Sequence, residues 1–145
     1  MKKSHRENIS YKSTYNMVNR VTKFGRKFNI YRSPLEEAFA IYLQEFGLIF
    51  EFEPKGFEIE TSGKIKIHYI PDFLIVDLKI FIEILNGSAN KRLKYKMFWF
   101  QQQYPDKKLI LITDQHLKKL FSGAITLWDL LGVSQSAIKK AMHND

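Results

Sequence analysis

No cysteine occurs anywhere in the chain. A disulfide framework and a cysteine-based zinc site are therefore excluded. No apolar run approaches the ~18–20 residues that a membrane helix requires, so no membrane is expected as a partner. The opening stretch MKKSHRENIS carries charge with no apolar segment behind it. It is not expected to act as a secretory signal, and the cytoplasm is the expected compartment. His5, His68, His116 and His143 form no ligand spacing, and His68 reads as structural. No serine or histidine arrangement suggests covalent catalysis. Internal repeats and low-complexity tracts are also missing.

Acidic residues are nearly missing from one end. Residues 1–32 hold nine of the 23 basic residues but only Glu7 of the 15 acids; the remaining 14 and 14 cancel. The net charge of +8 is thus a basic arm on a neutral body. Such an arm suits a polyanion, because each cation that neutralises a phosphate releases a counterion. Within it, Lys23, Arg26 and Lys27 are candidate DNA contacts. A solvated tail is the plainer alternative.

What is present is a large hydrophobic share. At 145 residues and 45% hydrophobic, with 12 Phe, the chain can bury one real core. A short helix is expected near 13–21. A second is expected over SPLEEAFAIYLQEFG, with Ser33 as N-cap, Pro34 at the first position, Glu36 placed for a capping box and Gly47 as terminator. LIFEFEP (48–54) reads as a strand, and FEIETSGKIKIHYI as a hairpin about Ser62-Gly63. Two strands follow at 70–76 and 79–85, then a helix at 90–104 and a buried strand at 108–113. This order predicts an α/β unit around a mixed sheet. The expected division is a basic arm at 1–32, a core at 33–113 and a helical element at 114–145.

Two carboxylates interrupt the apolar runs of YIPDFLIVDLKIFIEILNG (69–87). With a two-residue loop at Asp77-Leu78, Phe73 pairs with Ile82 and Asp72 falls opposite Glu83, with Cβ atoms ~4.5–5.5 Å apart. A hard divalent cation such as Mg²⁺ resolves the repulsion of two such acids. The same residues also fit acids at fraying strand ends facing solvent, and a slip of one residue reverses the face.

The series YRSPLEEAF…GLIFEFEP…HYIPDFLI…IFIEILNG…QQQYPDKKLILI resembles the PD-(D/E)xK nuclease superfamily, and within it the phage junction-resolving endonuclease I family, over about residues 31–112. The resemblance implies a restriction-endonuclease-like core. It implies a Mg²⁺-dependent DNA endonuclease, with Mn²⁺ able to substitute, that acts on double-stranded or branched DNA. Carried over by position, Glu36, Asp72 and Glu83 would bind metal and set up the attacking water, with Glu37 as the alternative to Glu36. Two cuts in a duplex need two sites, so a homodimer is expected. A phage or mobile-element origin is in keeping with this family.

One position departs from the family pattern. The motif calls for lysine two residues after Glu83, and this chain has Leu85. The site is then catalytically dead, or Asn86 substitutes, or a base reaches in from KRLKYKM. Superfamily members with the lysine relocated to this helix favour Lys96 as the catalytic base-side cation, ahead of Lys94 and Lys91. Lys91, Arg92 and Lys94 are also candidate DNA contacts, and Gln101 could touch the site. Beyond the core, TLWDLLGVSQSAIKKAMHN resembles the small helix-turn-helix elements of homing endonucleases. Gln135, Ser136, Lys139 and Lys140 are its candidate groove and phosphate contacts. The tail favours sequence-specific, homing-type cutting and the core favours junction resolution. A decayed nuclease that only binds DNA, or a transposon-end nuclease subunit, are the other readings.

Overall fold

The computed structural model describes residues 31–85 and 91–143. The expected helix near 13–21, the candidates Lys23, Arg26 and Lys27, and Asn86 lie outside the described residues.

Helix α1, Pro34–Phe46, begins where its signals stand. The Ser33 hydroxyl accepts from the Glu36 amide at 3.1 Å, a cap that contributes about 1 kcal/mol. Gly47 closes the helix at φ 100°, a left-handed conformation that a side chain would resist. The capping box itself is not reciprocal. The Glu36 carboxylate accepts from the Arg32 amide at 2.9 Å, one residue upstream of the cap.

The strands are β1 (Phe50–Phe52), β2 (Phe57–Glu60), β3 (Lys66–Tyr69), β4 (Phe73–Ile75), β5 (Ile80–Leu85) and β6 (Lys108–Thr113). The central sheet runs β1-β4-β5-β6, and β2-β3 form a separate two-stranded sheet. Sequence alternation alone does not separate that hairpin from the central sheet. The β4–β5 register is Phe73 with Ile82, Leu74 with Phe81 and Ile75 with Ile80, the pairing that the Asp77-Leu78 loop dictates. β4 is shorter than the expected 70–76 strand. Pro71 has no amide to give a ladder, and Lys79 turns at φ 56°, which stops β5 from starting before Ile80.

β5 and β6 pair in parallel, so their connection must cross the sheet through a helix, α2 (Lys91–Gln103). Side-chain alternation along β5 divides the molecule into two layers. Ile80, Ile82 and Ile84 join the core formed with α1 and with α3 (Asp114–Ser122), α4 (Leu127–Leu131) and α5 (Gln135–Met142). Phe81 points the other way, into a second cluster with Phe57, Ile59, Tyr69 and Phe100 under α2 and the hairpin. Each such fully buried aromatic or aliphatic side chain contributes about 1.5–3 kcal/mol. Glu83, two residues beyond Phe81, shares its face of the strand.

The C-terminal helices follow β6 without a linker: Thr113 is both the last residue of β6 and the N-cap of α3. His116 closes that cap, its ring nitrogen accepting from the Thr113 amide at 3.1 Å. Thr126 caps α4, Gly132 ends it and Ser134 caps α5. Leu117, Leu127, Leu131 and Ile138 are buried in the same core as α1. This helical element therefore covers one face of the sheet.

Candidate active site

Asp72 stands at the start of β4, behind Pro71 and in front of buried Phe73. Its carboxylate accepts from the Ile84 amide of the neighbouring strand at 2.8 Å. This bond fixes the side chain on the edge of the β4–β5 ladder. Glu83, 8% exposed, accepts from the Tyr69 hydroxyl at 2.7 Å. Tyr69 is buried at the end of β3, with its ring 5.5 Å from that of Phe100. Glu36, also 8% exposed, enters from the first turn of α1. The Asp72 carboxyl lies within hydrogen-bonding reach of both Glu36 and Glu83. The first turn of α1 and the β4–β5 hairpin thus deliver three acids to one place.

These acids hold their protons unusually tightly. Burial, followed by the charge of Glu83, pushes Asp72 up to about 7, against the opposing bond from the Ile84 amide. Burial, followed by the charge of Asp72, pushes Glu36 up to about 7. Glu83 is raised by burial, partly offset by its bonds to Tyr69 and Asp72. Burial and the neighbouring Glu83 charge raise the Tyr69 phenol, which keeps it a donor.

A stability consequence follows for the metal-free protein. Asp72 and Glu36 sit near 3.8 and 4.5 in ordinary surroundings and near 7 here. The folded state therefore favours their protonated forms. Their contribution to stability is full below the unfolded values and is lost as pH rises toward 7. Asp72→Asn removes one titrating partner. Its melting temperature relative to the parent is expected to rise by several degrees between pH 5 and pH 8, measured by thermal melting in a chelator. A constant difference across that range would contradict the raised values.

The donor set fits a hard divalent cation. It is made of oxygens, two of its three acids are buried, and its members repel one another until something positive enters. Among the described residues, no group of three or more His, Asp or Glu is placed to hold a metal ion by itself. Mg²⁺ needs none, because it is usually held by one or two carboxylates together with water and substrate phosphate.

Arg32, Glu53 and Tyr69 complete the surroundings, and sequence reasoning assigned a role to none of them. The Arg32 guanidinium pairs with Glu53 through two contacts, one of 3.2 Å from its second nitrogen. Glu53 has a left-handed backbone, φ 48°, just before Pro54, and its amide donates to the Asp72 carbonyl at 2.8 Å. A non-glycine residue at positive φ is uncommon, and here one is held next to the acids. Arg32 is exposed, yet the ion pair ties it to this residue next to the acids. Its presence in YRSPLEE directly before the helix cap was the available signal. Glu37 is buried deeper than Glu36, at 2% exposure, but it is Glu36 that meets Asp72.

Leu85 ends β5 beside Thr113 of β6, on the Glu83 face of the strand. Lys96 is half-buried on α2, while Lys91, Arg92 and Lys94 are exposed. Lys96 lies one turn before Phe100, whose ring is 6.2 Å from that of Phe81 on β5. Gln101 is engaged elsewhere, its side-chain amide donating to the Lys107 carbonyl at 2.9 Å and tying down the turn after α2. Gln135, Ser136, Lys139 and Lys140 are exposed on α5, far in sequence from the acids and on its solvent side. His68 packs over Gly56, where any Cβ would collide with its ring, so its place is structural.

No helix among the described residues is long and apolar enough to cross a membrane. In comparison with known families, the phage endonuclease I model matches residues 17–135. No curated protein and no solved structure matches the chain.

Proposed function

The chain belongs to the phage endonuclease I family, and from that premise we propose that it is a Mg²⁺-dependent endodeoxyribonuclease that cuts branched DNA as a homodimer. The observation that carries the proposal is the meeting of buried Glu36 and Glu83 with half-buried Asp72, three acids with raised proton affinity, beside the two central strands of the sheet. Asp72 and Glu83 are the residues to hold the cation. A divalent ion bound there supplies Lewis-acid stabilisation of the departing oxygen and a more acidic water. Ile84 and Tyr69 keep the two carboxylates oriented by donating to them. Glu36, with a proton affinity near neutrality, is suited to take the proton of the attacking water. Lys96 provides the positive charge that Leu85 does not.

The substrate preference is tested by comparing cleavage of a four-way junction with cleavage of a paired linear duplex of the same sequence. Faster cutting of the junction is expected. Equal rates would remove the branched-DNA part of the proposal, and tight cutting at one duplex sequence would favour a homing-type enzyme guided by α5.

Leu85 supports a second reading, in which the fold binds DNA without cutting it. Under either reading the basic arm is expected to supply affinity rather than specificity. Deleting residues 1–30, which spares Arg32, should flatten the slope of log K against log salt by about 0.9 for each phosphate that the arm no longer neutralises. An unchanged slope in filter binding or anisotropy would mean that the arm touches no phosphate.

A further inference from the structure

The outer face of α2 carries a feature that the catalytic site does not use. Phe100 is the helix's fully buried residue, with Leu93 and Met97 half-buried on the same side. On the opposite side Tyr95 and Phe98 are 47% and 54% exposed, unusual for rings of this size. They are not loose. Half-buried Trp99 lies edge-on to both, with ring centroids at 6.3 Å from Tyr95 and 5.3 Å from Phe98. Each exposed ring also has an exposed lysine one turn before it on the same face, Lys91 for Tyr95 and Lys94 for Phe98. The helix, KRLKYKMFWFQQQ, contains no acid.

We propose that this face binds unpaired nucleobases, with Tyr95 and Phe98 as stacking surfaces and Lys91 and Lys94 as phosphate contacts; the proposal rests on the nuclease function above and specifies the part of the substrate that lies beyond the cut. The reasoning is one of charge and shape. A cationic face selects a polyanion. Aromatic rings presented to solvent offer stacking to any base, because every base has a π-face. Bases inside a duplex are already stacked, so the ligand is a flap, a gap or the unpaired nucleotides at a branch. A second copy of this chain suits the face less well. In a two-fold contact the lysines of one copy would meet those of the other without an acid on the helix to separate them. The position suits the chemistry too. The inner side of the same helix packs on Phe81 of β5, two residues before Glu83, and its outer face lies about 10 Å further out, one helix diameter. A strand leaving the site can cross it.

The test uses the full-length chain in a chelator and a duplex with a short single-stranded flap containing 2-aminopurine, against the same duplex without the flap. The parent is expected to quench the 2-aminopurine and to bind the flapped duplex roughly tenfold more tightly than the blunt one. The double variant Tyr95→Ser, Phe98→Ser should bind the blunt duplex as the parent does, cut a fully paired substrate at the parent rate with Mg²⁺, and lose both the quench and the preference. An equal preference in parent and variant overturns the proposal. So does a change of the variant from dimer to monomer in sedimentation, which would assign the face to self-association. If the parent binds and cuts DNA without preferring the flap, this inference fails alone. If it neither binds nor cuts any DNA, the nuclease function fails with it.

Discussion

Asp72→Asn is expected to abolish cleavage while leaving DNA affinity unchanged or higher. The side chain keeps its shape and can still accept from the Ile84 amide, so the strand edge is preserved. What disappears is one of three mutually repelling acidic groups, with its charge. A neutral amide is a poor ligand for a hard divalent cation, and phosphate no longer meets that charge on arrival. The opposite signs of the two effects distinguish a catalytic acid from a structural one. A residue needed only for folding would lower both. Single-turnover cleavage and a gel shift of the same labelled DNA read them separately, and cleavage at the parent rate would remove Asp72 from the machinery.

The second large effect concerns the lysine that Leu85 does not supply. Lys96→Ala is expected to cut the single-turnover rate by ~10²–10³, the range for loss of one donor that stabilises transition-state charge. Binding should fall only slightly. The residue is half-buried beside the stripe that packs under α2, and its four-carbon stem can pass that stripe toward Glu83. Leu85→Lys in the Lys96→Ala background tests the same idea from the other side. Position 85 shares the Glu83 face, so a lysine there should restore part of the rate. If Lys96→Ala cuts like the parent, the positive charge comes from elsewhere, with Lys94, Lys91 or Asn86 next in line.

Local rules made much of this fold legible. Ser33, Pro34 and Gly47 bound α1 because caps act within a few residues. The Asp77-Leu78 turn set the β4–β5 register, and with it the meeting of Asp72 and Glu83, because hairpin pairing follows from loop length. Partners that come together across the fold were not legible. Tyr69 reaches Glu83 from 14 residues away and Arg32 reaches Glu53 from 21, with no periodicity to announce either. The separation of β2-β3 from the central sheet had the same cause. Alternation tells which residues face inward, not which layer they face. The redirected Glu36 bond is smaller but similar: S-x-x-E announces a capping box, and the carboxylate sits one residue off, on the Arg32 amide, while it also meets Asp72.

The most direct test of the central claim is single-turnover cleavage of an end-labelled four-way junction by the parent and by Asp72→Asn, each with Mg²⁺ and with a chelator. The predicted result is cutting by the parent with Mg²⁺ alone, and none by Asp72→Asn, which nevertheless still shifts the junction in a gel. Cutting by Asp72→Asn, or by the parent in chelator, would contradict an active site built on the three acids. Tight binding by the parent with no cutting in Mg²⁺ or Mn²⁺ would contradict the enzyme itself and leave Leu85 as the mark of a nuclease fold that only binds DNA.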